Sequence, residues 1–393
     1  MWRIGWSSTS STARPGGCDS SNLPLLSQPR HLKSTAIAAL LIVTVASCGG
    51  ATDRVARSGG SQVVPTGADH ECVVPGGSSP TIDWSELHNP ILSSASAGEK
   101  DEAVLWFTGR WHMLFSYVTD ESSSPDGILW DIATSTSTDF LHWTKPIPWP
   151  EQTGVLGVAS PEIAREPNGT FVATYQSDPG QSDGTQDRLY YRTSMDLENW
   201  SSPHALAQDL APRRDDRMID GSLAWTGHGL ILGYKSGSAA NNQVFEIAWS
   251  PDGSLNGPWA FVGRTNIVVY GGTVERDEFV AVDGTWRLLA TSNTLDQPWI
   301  FKLAGNPDRP SGWLDWGGGH ELDVPKAKWD TGSGISSVGY EWANSAFLCN
   351  DTADGYYYLL YAGSDELTAF GGWGHAKIGI ARSRDLVHWQ TPG

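Results

Sequence analysis

ARSRDLVHWQ, residues 381–390, nearly repeats a phrase that the chain has already used. It reads ATSTSTDFLHW at 133–143, RTSMDLENW at 192–200 and, more loosely, AWSPDGSLNGPW at 248–259. A degenerate copy, GNPDRPSGW, ends at Trp313. The closing tryptophans, Trp143, Trp200, Trp259, Trp313 and Trp389, therefore fall 57, 59, 54 and 76 residues apart. A phrase that returns at a nearly constant interval marks a structural unit repeated five times.

What precedes each copy identifies the unit. FTGRWHMLFSY (107–117), PNGTFVATYQS (167–177), WTGHGLILGYKS (225–236), VDGTWRLLATS (282–292) and ADGYYYLLYAGS (353–364) each carry a glycine turn followed by an apolar or aromatic run. A glycine turn between such runs is a hairpin signature. A third strand follows in every unit (GILWDIATS, RLYYRTS, QVFEIAWS, WIFKLAG, AKIGIARS), and a short edge strand at the tryptophan completes it. Four-stranded β units at a fixed period bury their faces only against one another, so the chain is expected to be an all-β, five-bladed β-propeller of antiparallel blades. The opening phrase is then the outer turn of each blade. Its Ser and Asp cap the turn, and its tryptophan packs between blades.

Composition agrees with that class. The 393 residues are 39% hydrophobic and include 20 Trp and 44 Gly, as a β protein with many tight turns requires. A net charge of −18 repels phosphate and argues against a nucleic-acid partner, while leaving neutral polysaccharides and oligosaccharides open. The N-terminal region has a different character. Arg30 and Lys33 precede an uncharged apolar run, Ala36 to Val45, which closes on small residues before Cys48. This is a signal peptide, and Val45-Ala46-Ser47-Cys48 has the form of a lipobox whose cysteine takes the lipid. Three segments follow: an N-terminal extension and signal over 1–48, a Gly/Ser/Thr/Pro-rich tether over 49–80, and the propeller over 81–393. The expected location is extracytoplasmic, either lipid-anchored to a bacterial cell membrane or secreted, with no membrane contact except through that anchor. Cys72 and Cys349 are the cysteines beyond the signal, and a disulfide between them would fasten the N-terminal segment to the last blade.

The first strand of each blade lines the axial channel, so a carboxylate at its start faces a central pocket. The stretches concerned are GEKDEAVLWF with Asp101, VASPEIAREP with Glu162, DRMIDGSLAW with Asp220, GGTVERDEFVAV with Glu275, Asp277 and Glu278, and GYEWANSAFL with Glu341. Trp84, Trp130, Trp225 and Trp342 stand near strand starts and offer faces on which a sugar could stack. His112 reads as packing. No phosphate loop, zinc-ligand spacing, nucleophile elbow or basic patch is present.

At these motifs the sequence resembles the five-bladed glycoside hydrolases of family 43, with relatives in families 62 and 32. DEAVLWFTGRWHMLFSY is similar to their first blade, MIDGSLAW to the blade motif carrying a second aspartate, and VERDEFVAVDGTWRLLATS to the motif carrying a glutamate. The resemblance spans roughly residues 83–391. It implies a hydrolase of O-glycosyl bonds in which Glu275 is the acid, Asp101 the base, and Asp220 orients the sugar or sustains the acid's pKa. Such a pair is what glycoside hydrolysis needs: one carboxylic acid protonates the leaving oxygen and a second carboxylate activates water or attacks. Glu278 is the rival acid. Sugar contacts are expected from Glu162, Trp225, Glu341 and Trp342, and from His375, which stands where related enzymes can place a histidine near an axial ion or sugar; no cofactor is expected, with an axial calcium or sodium ion as the alternative. Two features depart from the pattern: Glu102 replaces the proline that usually follows the first aspartate, and Arg276-Asp277 follow Glu275. Substrates of the arabinofuranosidase or xylosidase type are expected. The alternatives are a carbohydrate-binding propeller without turnover and a retaining fructan hydrolase.

The lipobox reading has a direct check. Wild-type protein should partition with membranes and Cys48→Ala protein with the soluble extracytoplasmic fraction; equal solubility of both would refute lipidation.

Overall fold

The computed structural model describes residues 82–122, 127–178, 187–213, 217–237, 244–268, 274–282, 284–292, 297–330, 344–351, 354–366 and 375–393. The signal, the tether, Cys48, Cys72, Glu341 and Trp342 lie outside them, as do the side chains of Glu275 and Cys349. The proposed disulfide therefore falls outside the described residues. No helix among those residues is long and apolar enough to cross a membrane.

Five antiparallel four-stranded sheets follow one another along the chain, each in sequential strand order. Blade one is β1 (Gly98–Phe107), β2 (Arg110–Asp120), β3 (Ile128–Ser137) and β4 (Ile147–Pro148). Blade two is β5 (Gly157–Arg165), β6 (Phe171–Asp178), β7 (Arg188–Ser194) and β8 (His204–Ala205). Blade three is β9 (Met218–Thr226), β10 (Gly229–Ser236), β11 (Val244–Ser250) and β12 (Ala260–Arg264). Blade four is β13 (Val274–Val282), β14 (Thr285–Ser292), β15 (Gln297–Leu303) and β16 (Trp316–Glu321). Blade five is β17 (Asn344–Asp351), β18 (Tyr356–Ser364), β19 (Ala376–Ser383) and β20 (Trp389–Gln390). The innermost strands touch in the cycle β1, β5, β9, β13, β17 and back to β1, which closes a five-bladed ring.

The apolar clusters lie between blades, because an isolated blade has two uncovered faces. One joins blades two and three through Leu189, Leu223, Leu232 and Trp259. Another joins blades three and four through Ile247, Phe279 and Trp313, and a third joins four and five through Leu289, Leu359 and Trp389. A larger cluster covers blades five, one and two. The ring is fastened by the segment before β1. Leu92 pairs with Ile378 on β19, and Asn89 brackets Ile380, accepting its N–H and donating to its carbonyl, each at 2.9 Å.

The repeated phrase is the outer turn, as its residues imply. The serine hydroxyl donates to the aspartate in Ser137–Asp139, Ser194–Asp196, Ser250–Asp252 and Ser383–Asp385. The aspartate in turn accepts backbone N–H groups two and three residues on, for example those of Glu198 and Asn199 at 2.9 and 2.7 Å. These bonds let the next residue, Phe140, Leu197 or Leu386, adopt φ of 61–66° and insert its side chain into the core. A left-handed conformation costs a branched or aromatic residue about 1–2 kcal/mol, which the capping bonds and the burial offset. Asp196→Ala removes the cap and should lower the thermal midpoint by about 2–4 °C, the size expected for ~1 kcal/mol. An unchanged midpoint in a thermal melt would show that packing alone holds the turn.

Candidate active site

All five innermost strands carry the same irregularity. Between Lys100 and Ala103, Ala159 and Glu162, Ile219 and Ser222, Glu275 and Glu278, and Asn344 and Phe347, two residues stand opposite one on the neighbouring strand. Each is a β-bulge, which bends the strand and re-aims a side chain. The first bulged residue is left-handed wherever it can be compared: Asp101 (φ 57°), Ser160 (53°), Asp220 (53°) and Arg276 (49°). None is glycine, so these four blades each hold a strained backbone at the bulge of the innermost strand.

These registers correct how the sequence motifs line up between blades. Asp101 and Asp220 occupy equivalent places, but blade two offers Ser160 there and blade four offers Arg276. Glu162 and Glu278 stand two residues beyond, a position they share with Ala103 and Ser222. Counting from the strand start treats the acids of all blades as equals, because a bulge is invisible to counting.

The bulges are stitched to one another around the ring. Ser116 Oγ on β2 donates to Asp101 Oδ2 at 2.7 Å and accepts the Ser160 N–H at 2.8 Å. Gln176 on β6 accepts the Asp220 N–H at 3.1 Å, and Asp220 Oδ2 accepts the Arg276 N–H at 3.2 Å. A second tier runs beneath: Ser222 Oγ accepts the Phe279 N–H at 2.9 Å, and Glu278 Oε2 accepts the Leu348 N–H at 3.0 Å. Glu278 thus ties blade four to blade five, and its side chain is fully buried. That is a strut between blades, which argues against the rival-acid reading.

Arg276 and Lys235 sit among these carboxylates. Arg276 reaches from blade four across the ring, donating to the Pro161 carbonyl at 2.6 Å and the Glu102 carbonyl at 2.8 Å, with Glu162 Oε2 at 3.4 Å. Lys235 on β10, only 1% exposed, lies 3.1 Å from Asp220 Oδ2. Burial alone would raise the Asp220 pKa; Lys235, the Arg276 N–H and Arg217 together outweigh it and hold the carboxyl below its ordinary value. Burial pushes Glu102 well up and Glu278 up to about 8. Glu99, buried on β1, is also pushed up to about 8 by desolvation.

Of the other expected site residues, Glu162 belongs to this cluster through its pair with Arg276. Glu275 lies on β13 opposite Thr291, and the peptide that follows it is the one bound to Asp220. Trp225 stands apart. It is five residues along β9 from Asp220, roughly 16 Å in a strand, and its indole donates to the Gly253 carbonyl. There it helps line a shallow depression of about 820 Å³ at the opposite end of the blades, together with His228, Trp249 and Asp308. His375 donates to the Ser94 carbonyl and so fastens the segment before β1. Trp84 stacks under Arg382, and His112 is a packed core residue whose pKa burial lowers. An axial metal ion does not fit here, because the Arg276 guanidinium already crosses the ring at this level. No group of three His, Cys, Asp or Glu among the described residues is placed to share a metal ion.

Sequence reasoning missed Ser116, Ser160, Lys235 and Arg276. The first and third were visible as polar residues at one place in the quoted hairpins: FSY, YQS, YKS and ATS put Ser116, Gln176, Lys235 and Thr291 in register.

The raised glutamates have a consequence for stability. A glutamate that is protonated when folded but ionises near 4.5 when unfolded stabilises fully below that value, and the benefit is lost as pH rises through the folded pKa. With Glu99 and Glu278 near 8, the thermal midpoint should fall between pH 5 and pH 8. Glu278→Gln, which keeps an acceptor for Leu348, should flatten part of that slope; a wild-type midpoint that stays level or rises would refute the burial.

No family model matches the chain, and no curated protein does. Solved structures do. A glycosyl hydrolase from Bacteroides ovatus is 13% identical with a TM-score of 0.54, over 77% of this chain and 87% of that one. A structure of the family 130 mannoside phosphorylases, a family containing glycoside hydrolases that target β-1,2 mannosidic linkages in Candida mannan, is 13% identical with a TM-score of 0.52, over 78% and 91%. A family 62 hydrolase in complex with xylotriose is 14% identical with a TM-score of 0.50, over 75% and 95%. The chain has the fold of the five-bladed propeller glycoside hydrolases.

Proposed function

We propose that the protein is a surface-anchored glycoside hydrolase that cleaves pentose-containing glycans, of the arabinofuranosidase or xylosidase type. The observation that carries this reading is Asp101. It sits on a strained bulge at the ring axis, 4% exposed, with Oδ2 oriented by Ser116 and by Ser160 at 3.4 Å. Oδ1 has no hydrogen-bond partner among the described residues and is left for water. The fold and the xylotriose complex of a family 62 relative support an oligosaccharide substrate.

In this mechanism Asp101 takes the proton of a water that attacks the anomeric carbon. The glycosidic C–O bond breaks, and Glu275 delivers its proton to the leaving oxygen. Asp220 cannot donate, since Lys235 and the Arg276 N–H hold it ionised; it stabilises the positive charge that develops on the sugar and orients its hydroxyls. Glu275 is next to Asp220 by way of that same N–H. Cys48 supplies the anchor.

One observation favours a second reading, a sugar-binding propeller without turnover. The blade-four bulge carries Arg276 rather than a carboxylate, and Asp220 is neutralised by a buried lysine. A panel of nitrophenyl α-L-arabinofuranoside, nitrophenyl β-xyloside, arabinan, xylan and levan separates the two. Asp101→Asn should cost about 10²–10⁴ in kcat on every substrate turned over. Glu275→Gln should spare nitrophenyl glycosides, whose leaving group needs little protonation, relative to polymers. Binding without turnover of any member of the panel would establish the second reading instead.

A further inference from the structure

A cleft of about 320 Å³ opens between blades one and two at the same end of the strands as the bulges. Its floor includes Gly157 and Val158 at the start of β5, two to three residues before Ser160, so its inner end lies within roughly 10 Å of that bulge. Part of its lining is apolar, including Leu156, 46% exposed where most large apolar side chains are covered. The carboxylates of Glu121, Asp131 and Glu151 line it as well. So does Gln152, only 8% exposed. Its Oε1 accepts the Tyr175 hydroxyl at 2.7 Å, which fixes the amide. Its Nε2 has no hydrogen-bond partner among the described residues, and the cleft that Gln152 lines is the remaining space for one. Desolvation, reinforced by Glu151, raises the Asp131 pKa, as expected for a carboxyl turned into a confined space.

We propose that this cleft is a subsite for an uncharged stretch of the glycan chain, lying beside the reactive bulges and discriminating against uronate-bearing chains. The inference rests on the carbohydrate reading above and gives that site its substrate class. A pyranose presents an apolar face flanked by hydroxyls that both donate and accept. The apolar part of the lining takes the ring face, the carboxylates of Asp131 and Glu151 accept hydroxyl protons, and the Gln152 amide donates to a ring or hydroxyl oxygen. A chain substituted with glucuronate would bring a further negative charge against Asp131 and Glu151 in a partly desolvated cleft, which is repulsive.

The test uses the full chain carrying Asp101→Asn, titrated calorimetrically with xylotetraose and with the same tetraose bearing one glucuronate. Xylotetraose should bind, and the glucuronate form should bind at least 10-fold more weakly. Leu156→Asp, at an exposed lip that folding does not depend on, and Gln152→Glu, which keeps the Tyr175 acceptor but loses the donor, should each weaken xylotetraose at least 10-fold. The double change Asp131→Asn with Glu151→Gln should close the gap between the two ligands while changing xylotetraose less than about 3-fold. Equal affinity for both ligands, or xylotetraose binding untouched by Leu156→Asp and Gln152→Glu, would overturn the proposal. Its failure is distinguishable from that of the hydrolase reading. Turnover of nitrophenyl glycosides lost in Asp101→Asn, with binding indifferent to the cleft, sinks the subsite alone. Cleft-dependent binding by a protein that turns over nothing sinks the hydrolase alone.

Discussion

Arg276 is the interaction on which the centre of the ring depends. A propeller brings five innermost strands to one axis, and here that axis carries Asp101, Glu102, Glu162, Asp220 and Glu278, all under 8% exposed. Uncompensated, such a cluster would be prohibitive, since a buried carboxylate without a partner costs several kcal/mol. Arg276 answers it from the inside. Its guanidinium binds carbonyls of blades one and two and pairs with Glu162, while its own N–H holds Asp220 of blade three. One residue thereby joins four of the five blades. Removing one partner of a buried pair typically costs about 3–5 kcal/mol, more than most single packing contacts.

That arrangement explains why the bulges take their strained form. A left-handed φ at Asp101, Ser160, Asp220 and Arg276 turns each peptide so that its N–H or side chain meets the neighbouring blade rather than its own sheet. Ser116, Gln176 and the Asp220 carboxylate are the acceptors. The strain of about 1–3 kcal/mol at each site is held in place by bonds that a regular strand could not make. The same turn of the backbone delivers a side chain to the axis. Structural closure and the placing of a reactive carboxylate are one geometric event.

How much of this was legible in the sequence follows from the range of each interaction. The outer turn is local: Ser, Asp and Trp lie within seven residues, so ATSTSTDFLHW and ARSRDLVHWQ announce it and the blade count with it. Hairpins are equally local, and all five glycine turns were readable. Asp101 and Asp220 were also visible, because each opens a strand. The alignment of blade four was not. Glu275 precedes the bulge by one residue, and only pairing with β14 shows that Arg276 takes the equivalent place. Arg276 looked like a departure from a motif because its partners, Glu102, Pro161 and Asp220, are 56 to 174 residues distant. Lys235 was hidden for the same reason. Nothing near GYKS in the chain says that its lysine meets an aspartate on the adjacent strand across a bulge.

Charge balance then separates the carboxylates by role. Glu102 and Glu278 are pushed toward the neutral form by burial, and Glu278 is committed to the Leu348 N–H. Glu162 is paired with Arg276, and Asp220 is shared between Lys235 and the Arg276 backbone. Asp101 differs from all four. Both of its side-chain bonds, from Ser116 and Ser160, converge on Oδ2, and both donors are neutral hydroxyls. The second oxygen has no hydrogen-bond partner among the described residues, and Asp101 keeps a little solvent exposure. Hydroxyls orient a carboxylate without neutralising it, whereas a guanidinium or ammonium would satisfy its charge and blunt its basicity. The buried cations Lys235 and Arg276 are engaged by Asp220 on blade three and Glu162 on blade two, whereas the side-chain hydrogen bonds that orient Asp101 on blade one come from hydroxyls.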